Sequence, residues 1–119
     1  MKKQKQKSDE LPIFVKWMEF LEWLLPTTAK FPRKVQLTFS QRIENLALDV
    51  GEELIVARFT SDKHELLKAI NLKLDRLRML LRLSHTLKYL PHTGYEFASR
   101  SINEFGRMLG AWIKEQEEK

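Results

Sequence analysis

Apolar residues recur at helical spacing along most of this chain. From Pro12 through Phe31, the residues Ile13, Phe14, Trp17, Phe20, Leu21, Leu24, Leu25 and Thr28 share one arc at about 100° per residue. The spacing predicts an amphipathic helix over 12–31 with Pro12 in its first turn. Pro26 removes one backbone donor inside it, which predicts a kink. Phe31-Pro32 closes the element, because the residue before a proline is pushed out of α geometry.

A second helix is predicted over 36–60, with Phe39, Ile43, Leu46, Ala47, Val50, Leu54 and Ala57 on one stripe. Leu37, Leu48, Ile55 and Phe59 form another stripe on the opposite side. One core accounts for only one stripe, so the second calls for a further apolar surface. Thr60-Ser61-Asp62 reads as a turn, with Ser61 or Asp62 as N-cap and Glu65 placed for a capping box. The third helix, 62–90, is apolar over about two thirds of its circumference, wider than a helix packed on one side. Its remaining strip holds Asn71, Asp75, Arg78, Arg82 and His85, a polar seam between two apolar faces.

Pro91-His92-Thr93-Gly94 breaks the chain again. The fourth helix, 93–115, places Tyr95, Ala98, Ile102, Phe105, Leu109, Trp112 and Ile113 on its buried side. Ser99, Asn103, Gly106 and Gly110 flank them as a strip of small groups. Glycine in a helix interior costs about 1 kcal/mol relative to alanine. The strip therefore predicts a close approach, most simply by another helix backbone. A flexible Lys-rich head (1–10), a bundle (11–115) and a frayed tail (116–119) complete the layout. Long helices with short connections predict an all-α, up-down antiparallel four-helix bundle. The surplus stripes on the second and third helices predict a closed homo-oligomer.

Composition narrows the function. At 119 residues the chain is one domain, and only four Gly and four Pro leave little room for a many-turned β-fold. No uncharged apolar run approaches the roughly 18 residues a membrane span needs. Met1-Lys2-Lys3 resembles the start of a signal peptide, but Ser8-Asp9-Glu10 follows without a small-residue cleavage site, so the expectation is cytoplasmic. The absence of Cys excludes disulfides, thiolate metal sites and cysteine nucleophiles within this chain. Net charge is +5, concentrated in residues 1–10 (+2), Arg33-Lys34 (+2) and residues 62–90 (+4). Such clustering points to a polyanionic partner.

Catalytic chemistry finds little support. His64, His85 and His92 show no His-x-x-x-His or Glu-x-x-His pairing of the kind a di-iron bundle requires. There is no glycine-rich phosphate loop and no nucleophile motif, so neither metal, cofactor nor catalytic residue is expected. The candidate site residues are the basic ones. Arg33 and Lys34 follow Pro32 in a loop; Arg78 and Arg82 lie in the seam, with Arg78 in i,i+3 reach of Asp75 and Arg82 free to extend past its Leu neighbours. Repetition of the seam by symmetry would concentrate its charge.

Three stretches, KFPRKVQLTFSQRIENLALDVGEELIVARF, LLKAINLKLDRLRMLLRL and YEFASRSINEFGRMLGAWIK, together resemble the Avd family, accessory proteins of diversity-generating retroelements. The Phe-Pro-Arg element, the Gln-Arg-Ile-Glu-Asn run, Leu-Arg-x-Leu-Leu-Arg-Leu and Gly-Arg-Met-Leu-Gly-x-Trp-Ile carry the resemblance in order across residues 11–115. A looser likeness, mainly in the second helix, is to the four-helix-bundle family encoded by intervening sequences of large-subunit rRNA genes. The Avd resemblance implies a homopentameric bundle without catalytic residues. It further implies binding to a reverse transcriptase and to RNA, DNA or their hybrid, in support of mutagenic cDNA synthesis. It places the contacts at Arg33, Lys34, Arg78 and Arg82. The competing reading is a structural or protein-interaction oligomer with no nucleic-acid role.

Overall fold

Four α-helices form where the periodicity places them: α1 (Pro12–Ala29), α2 (Gln41–Arg58), α3 (His64–Thr86) and α4 (His92–Glu117). The structure is a computed structural model and describes residues 11–118; the expected head, residues 1–10, and Lys119 lie outside the described residues. No strand occurs among the described residues.

Side-chain pairs fix the direction of each helix. Lys16 meets Glu104 and Trp23 meets Phe97, so α1 and α4 run oppositely. Thr28 meets Glu44 while Trp17 reaches Ala47, which sets α1 against α2. His64 meets Glu117, Arg78 meets Asn103 and His85 meets His92, an antiparallel register along the whole of α3 and α4. Each helix packs on its sequence neighbours, and α4 returns to α1 to close the bundle.

Inside, Leu24, Ile43, Leu54, Ile70, Leu74, Leu77, Ile102 and Leu109 are almost fully buried. Trp17 anchors the centre. Its ring lies 4.4 Å from that of Phe105, and its indole Nε1–H donates to the Ala47 carbonyl at 2.8 Å. That bond satisfies the one polar atom a buried tryptophan carries.

The chain departs from the sequence expectations at the helix ends. α1 continues through Pro26, which sits in its last turn, and ends at Ala29, short of the expected Phe31. The segment 36–60 is not uniformly α: its first five residues form a π-helical turn (Gln36–Ser40), itself preceded by a 3-10 turn (Arg33–Val35), and α2 ends at Arg58. Neither Ser61 nor Asp62 caps α3, and no capping box forms with Glu65; Lys63 occupies the N-cap without a side-chain cap bond. α3 also stops at Thr86 rather than continuing to Leu90. Lys88 adopts φ 69°, the left-handed turn that ends many helices. Tyr89 N–H then donates to the Ser84 carbonyl at 2.8 Å.

The second apolar stripe of α2 faces outward. Leu37 is 75% exposed and Phe59 77%, with Leu48, Ile55 and Val56 also open to solvent. α3 continues the pattern through Leu72 (61% exposed), Met79, Leu83 and Leu87. No described helix is long and apolar enough to cross a membrane.

Candidate nucleic-acid interface

The corner between α1 and α2 is built to hold its basic residues out. Ser40 is buried and its hydroxyl donates to the Thr28 carbonyl at 2.8 Å, while Gln36 Nε2 donates to the Phe31 carbonyl at 2.7 Å. Thr28 Oγ1 in turn donates to Glu44 at 2.6 Å. The first two bonds occupy carbonyls that the end of α1 leaves free. With Phe31 and Val35 turned inward, Arg33 and Lys34 are left exposed on the 3-10 turn.

Up-down topology puts this corner at the same end of the bundle as the α3–α4 corner. Phe39 contacts Tyr89 edge-on, with ring centroids 5.3 Å apart, and Phe31 lies 6.1 Å from the same ring. The turns and terminal helix turns of that end carry Lys30, Arg33, Lys34, Arg42 and Lys88, with Arg82 about one turn inside, alongside Glu44 and Glu96. At the opposite end, Glu115, Glu117 and Glu118 outnumber Lys114 in the last turns of α4. Lys30, Arg42 and Lys88 are residues that sequence reasoning missed. Each is unremarkable in its own helix, and only the pairing of corners brings them together.

Arg78 and Arg82 both sit on the polar seam of α3, but in different circumstances. Arg78 Nη1 donates to Asp75 Oδ1 at 2.8 Å, and Nη2 reaches Asn103 Oδ1 on α4 at 3.4 Å. The same guanidinium lies over Gly106, where an added Cβ would stand 3.1 Å from Nη2. The close approach expected at the small-residue strip is thus made by an arginine rather than by a helix backbone. Gly110 faces open space. Arg82 is exposed and makes no side-chain hydrogen bond or ion pair among the described residues.

Arg78, Met79, Leu81, Arg82, Tyr95, Ser99, Ile102 and Asn103 line a groove of about 360 Å³ between α3 and α4. At its upper end the His85 ring stacks on Tyr95, centroids 4.5 Å apart and planes within 9°. His85 Nε2 lies 3.3 Å from His92 Nδ1, and His92 Nε2 lies 3.3 Å from Glu96. Arg33 and Lys34 share the end of the bundle with Arg82 but do not line the groove. Among the described residues, no group of three or more His, Cys, Asp or Glu side chains is placed to hold a metal ion.

A family model described as bAvd-like matches residues 12–116, from the first turn of α1 to the end of α4. The chain belongs to the bAvd-like family. No curated protein matches it.

Proposed function

We propose that this chain is a nonenzymatic, cytoplasmic accessory subunit of a diversity-generating retroelement, binding the element's reverse transcriptase and template RNA during mutagenic cDNA synthesis. The observation that carries the nucleic-acid part is the basic end of the bundle, where Arg33, Lys34 and Arg82 stand exposed among three further cations. Exposed guanidinium and ammonium groups bind phosphates and release their counterions, so this contact is strong, salt-sensitive and indifferent to base sequence. Arg33, Lys34 and Arg82 make no side-chain hydrogen bond or ion pair among the described residues, so their charges are uncommitted. Arg78 contributes charge while bracing α3 to α4. The polymerase part rests on membership of the family.

Several copies act together in this reading. The outward ridge of Leu37, Leu48, Ile55, Val56 and Phe59 on α2, with Leu72 and Leu83 on α3, is covered by identical chains. Its lower end borders an apolar groove of about 240 Å³ lined by Leu11, Phe14, Leu54, Ile55, Arg58 and Phe59. A closed ring, a pentamer on the family's pattern, repeats the basic end once per subunit and so multiplies its hold on a long polyanion.

The test is RNA binding by the full chain at several salt concentrations. If six or more phosphates are neutralised by the assembly, affinity falls roughly 10³-fold or more between 50 and 200 mM salt. Combined Arg78→Ala and Arg82→Ala substitution weakens binding and flattens that slope, and Arg33→Ala with Lys34→Ala does the same. An affinity that ignores both salt and these four residues would overturn the assignment.

A further inference from the structure

We propose that the α3–α4 groove accepts one unpaired nucleotide, its phosphate on Arg82 and its base against Tyr95. The inference deepens the RNA-binding reading and rests on it.

Three features of the groove favour a nucleotide over a bare phosphate. Its volume, about 360 Å³, lies at the small end of the range of roughly 300–1,000 Å³ that small-molecule pockets occupy. Its walls are divided by chemistry: cations on α3, then an apolar floor of Leu81 and Ile102, then hydrogen-bonding groups on α4. A surface that met only phosphates would have no use for the middle part. Third, the α4 side offers uncommitted polar groups. Asn103 spends its carbonyl oxygen on Arg78, which leaves the amide nitrogen free to donate. Ser99 Oγ, one turn before it, makes no hydrogen bond among the described residues.

Tyr95 has already accepted one planar ring. His85 lies parallel to it and fixes its orientation, so the aromatic wall is held in place before any ligand arrives. A base in a duplex cannot reach such a wall, because its faces are covered by its neighbours and its edge by its partner. An unpaired base can, at the cost of no pairing. The groove therefore discriminates single strands from duplexes, which a charged surface alone does poorly.

The experiment measures fluorescence anisotropy of a labelled RNA strand, of the same strand annealed to its complement, and of the strand challenged with AMP, using the full chain at fixed salt. The expected result is at least ~10-fold tighter binding of the single strand, with Ser99→Leu, which fills the groove, lowering it roughly 5- to 100-fold, the range that loss of one stacked base produces. Asn103→Leu fills the same space from an exposed position and serves if Ser99→Leu lowers the melting temperature. Displacement by millimolar AMP, but not by inorganic phosphate, identifies the free nucleotide as a ligand; failure of AMP to compete identifies the strand as the unit bound, and either supports the groove. Equal or tighter duplex binding, or full single-strand affinity in both folded groove variants, would overturn the inference while leaving the salt-dependent RNA reading intact. Absence of binding to either RNA removes both.

Discussion

Leu74 and Leu72 lie two residues apart on α3 and have identical side chains, yet one is fully buried and the other is 61% exposed. The same division runs through α2, where Ile43 and Leu54 are sealed while Ile55 and Phe59 face outward. The inner set closes the single chain. Burying each such side chain contributes about 1.5–3 kcal/mol, and the outer set forgoes that gain until something covers it. The contrast teaches that folding and assembly are assigned to different faces of the same two helices. Each can therefore be damaged without the other.

Truncating the inner face should have the largest effect. Leu74→Ala leaves a cavity in the buried core and should cost about 2–5 kcal/mol, read as a lower denaturant midpoint. Leu72→Ala in dilute protein should stay within about 0.5 kcal/mol. Equal losses at the two positions, independent of concentration, would erase the distinction between faces.

On the outer face, Ile55→Ser combined with Phe59→Ser should leave helix content and the dilute melting temperature nearly unchanged. Light scattering should nonetheless report the 14.2 kDa single chain in place of a multiple of it. A doubly substituted protein that keeps the parent's mass would show that the ridge is not where copies meet.

Much of this division was legible in the chain. The stripe Ile43, Leu46, Ala47, Val50, Leu54 and Ala57 announces the buried side of α2, and Leu37, Leu48, Ile55 and Phe59 announce the open one, because both repeat at the helical period. The Asp75–Arg78 pair follows from i,i+3 geometry in the same way. What periodicity cannot supply is contact between helices. Gly106 accommodates an arginine 28 positions earlier, a relation that no local window contains. Nor does it show which charges share an end, because Lys30, Arg42 and Lys88 come to the same end only through the topology. Helix ends were the weakest reading. Ser61 and Asp62 are good caps by residue type, but α3 begins beyond them, at His64.

Lys88 offers a smaller test of the same comparison, since it concerns neither face but the turn that aligns them. A non-glycine residue at φ 69° crowds its Cβ against the following carbonyl, at a cost of roughly 1–2 kcal/mol relative to glycine. Lys88→Gly should therefore stabilise the fold by about 1 kcal/mol, part of the relief being offset by the freer unfolded chain. The same substitution removes a cation from the basic end. RNA affinity should drop slightly while the melting temperature rises. A fall in both would mean that the lysine side chain supports the turn.

The smallest effect is expected at the opposite end, where His64 ties the start of α3 to the end of α4. Its Nε2 lies 3.0 Å from Glu117 and its Nδ1 3.5 Å from Glu65. The hydrogen bond to Glu117 is the main influence and holds the imidazole pKa above its usual 6.5, against partial desolvation, with Glu65 adding to the rise. A raised folded-state pKa means that the folded chain binds the proton more tightly than the unfolded one. The tie is then at full strength below pH 6.5, while Glu117 remains ionised, and is lost as pH climbs through the raised value. Hydrogen exchange of the last turn of α4 should accordingly quicken between pH 6 and 8 by more than the intrinsic rate accounts for. Glu117→Gln should abolish that excess and return the His64 titration toward 6.5. If the excess survives the substitution, the end of α4 is held by something other than this ion pair, the Lys63–Trp112 contact at 5.2 Å being the neighbour to test next.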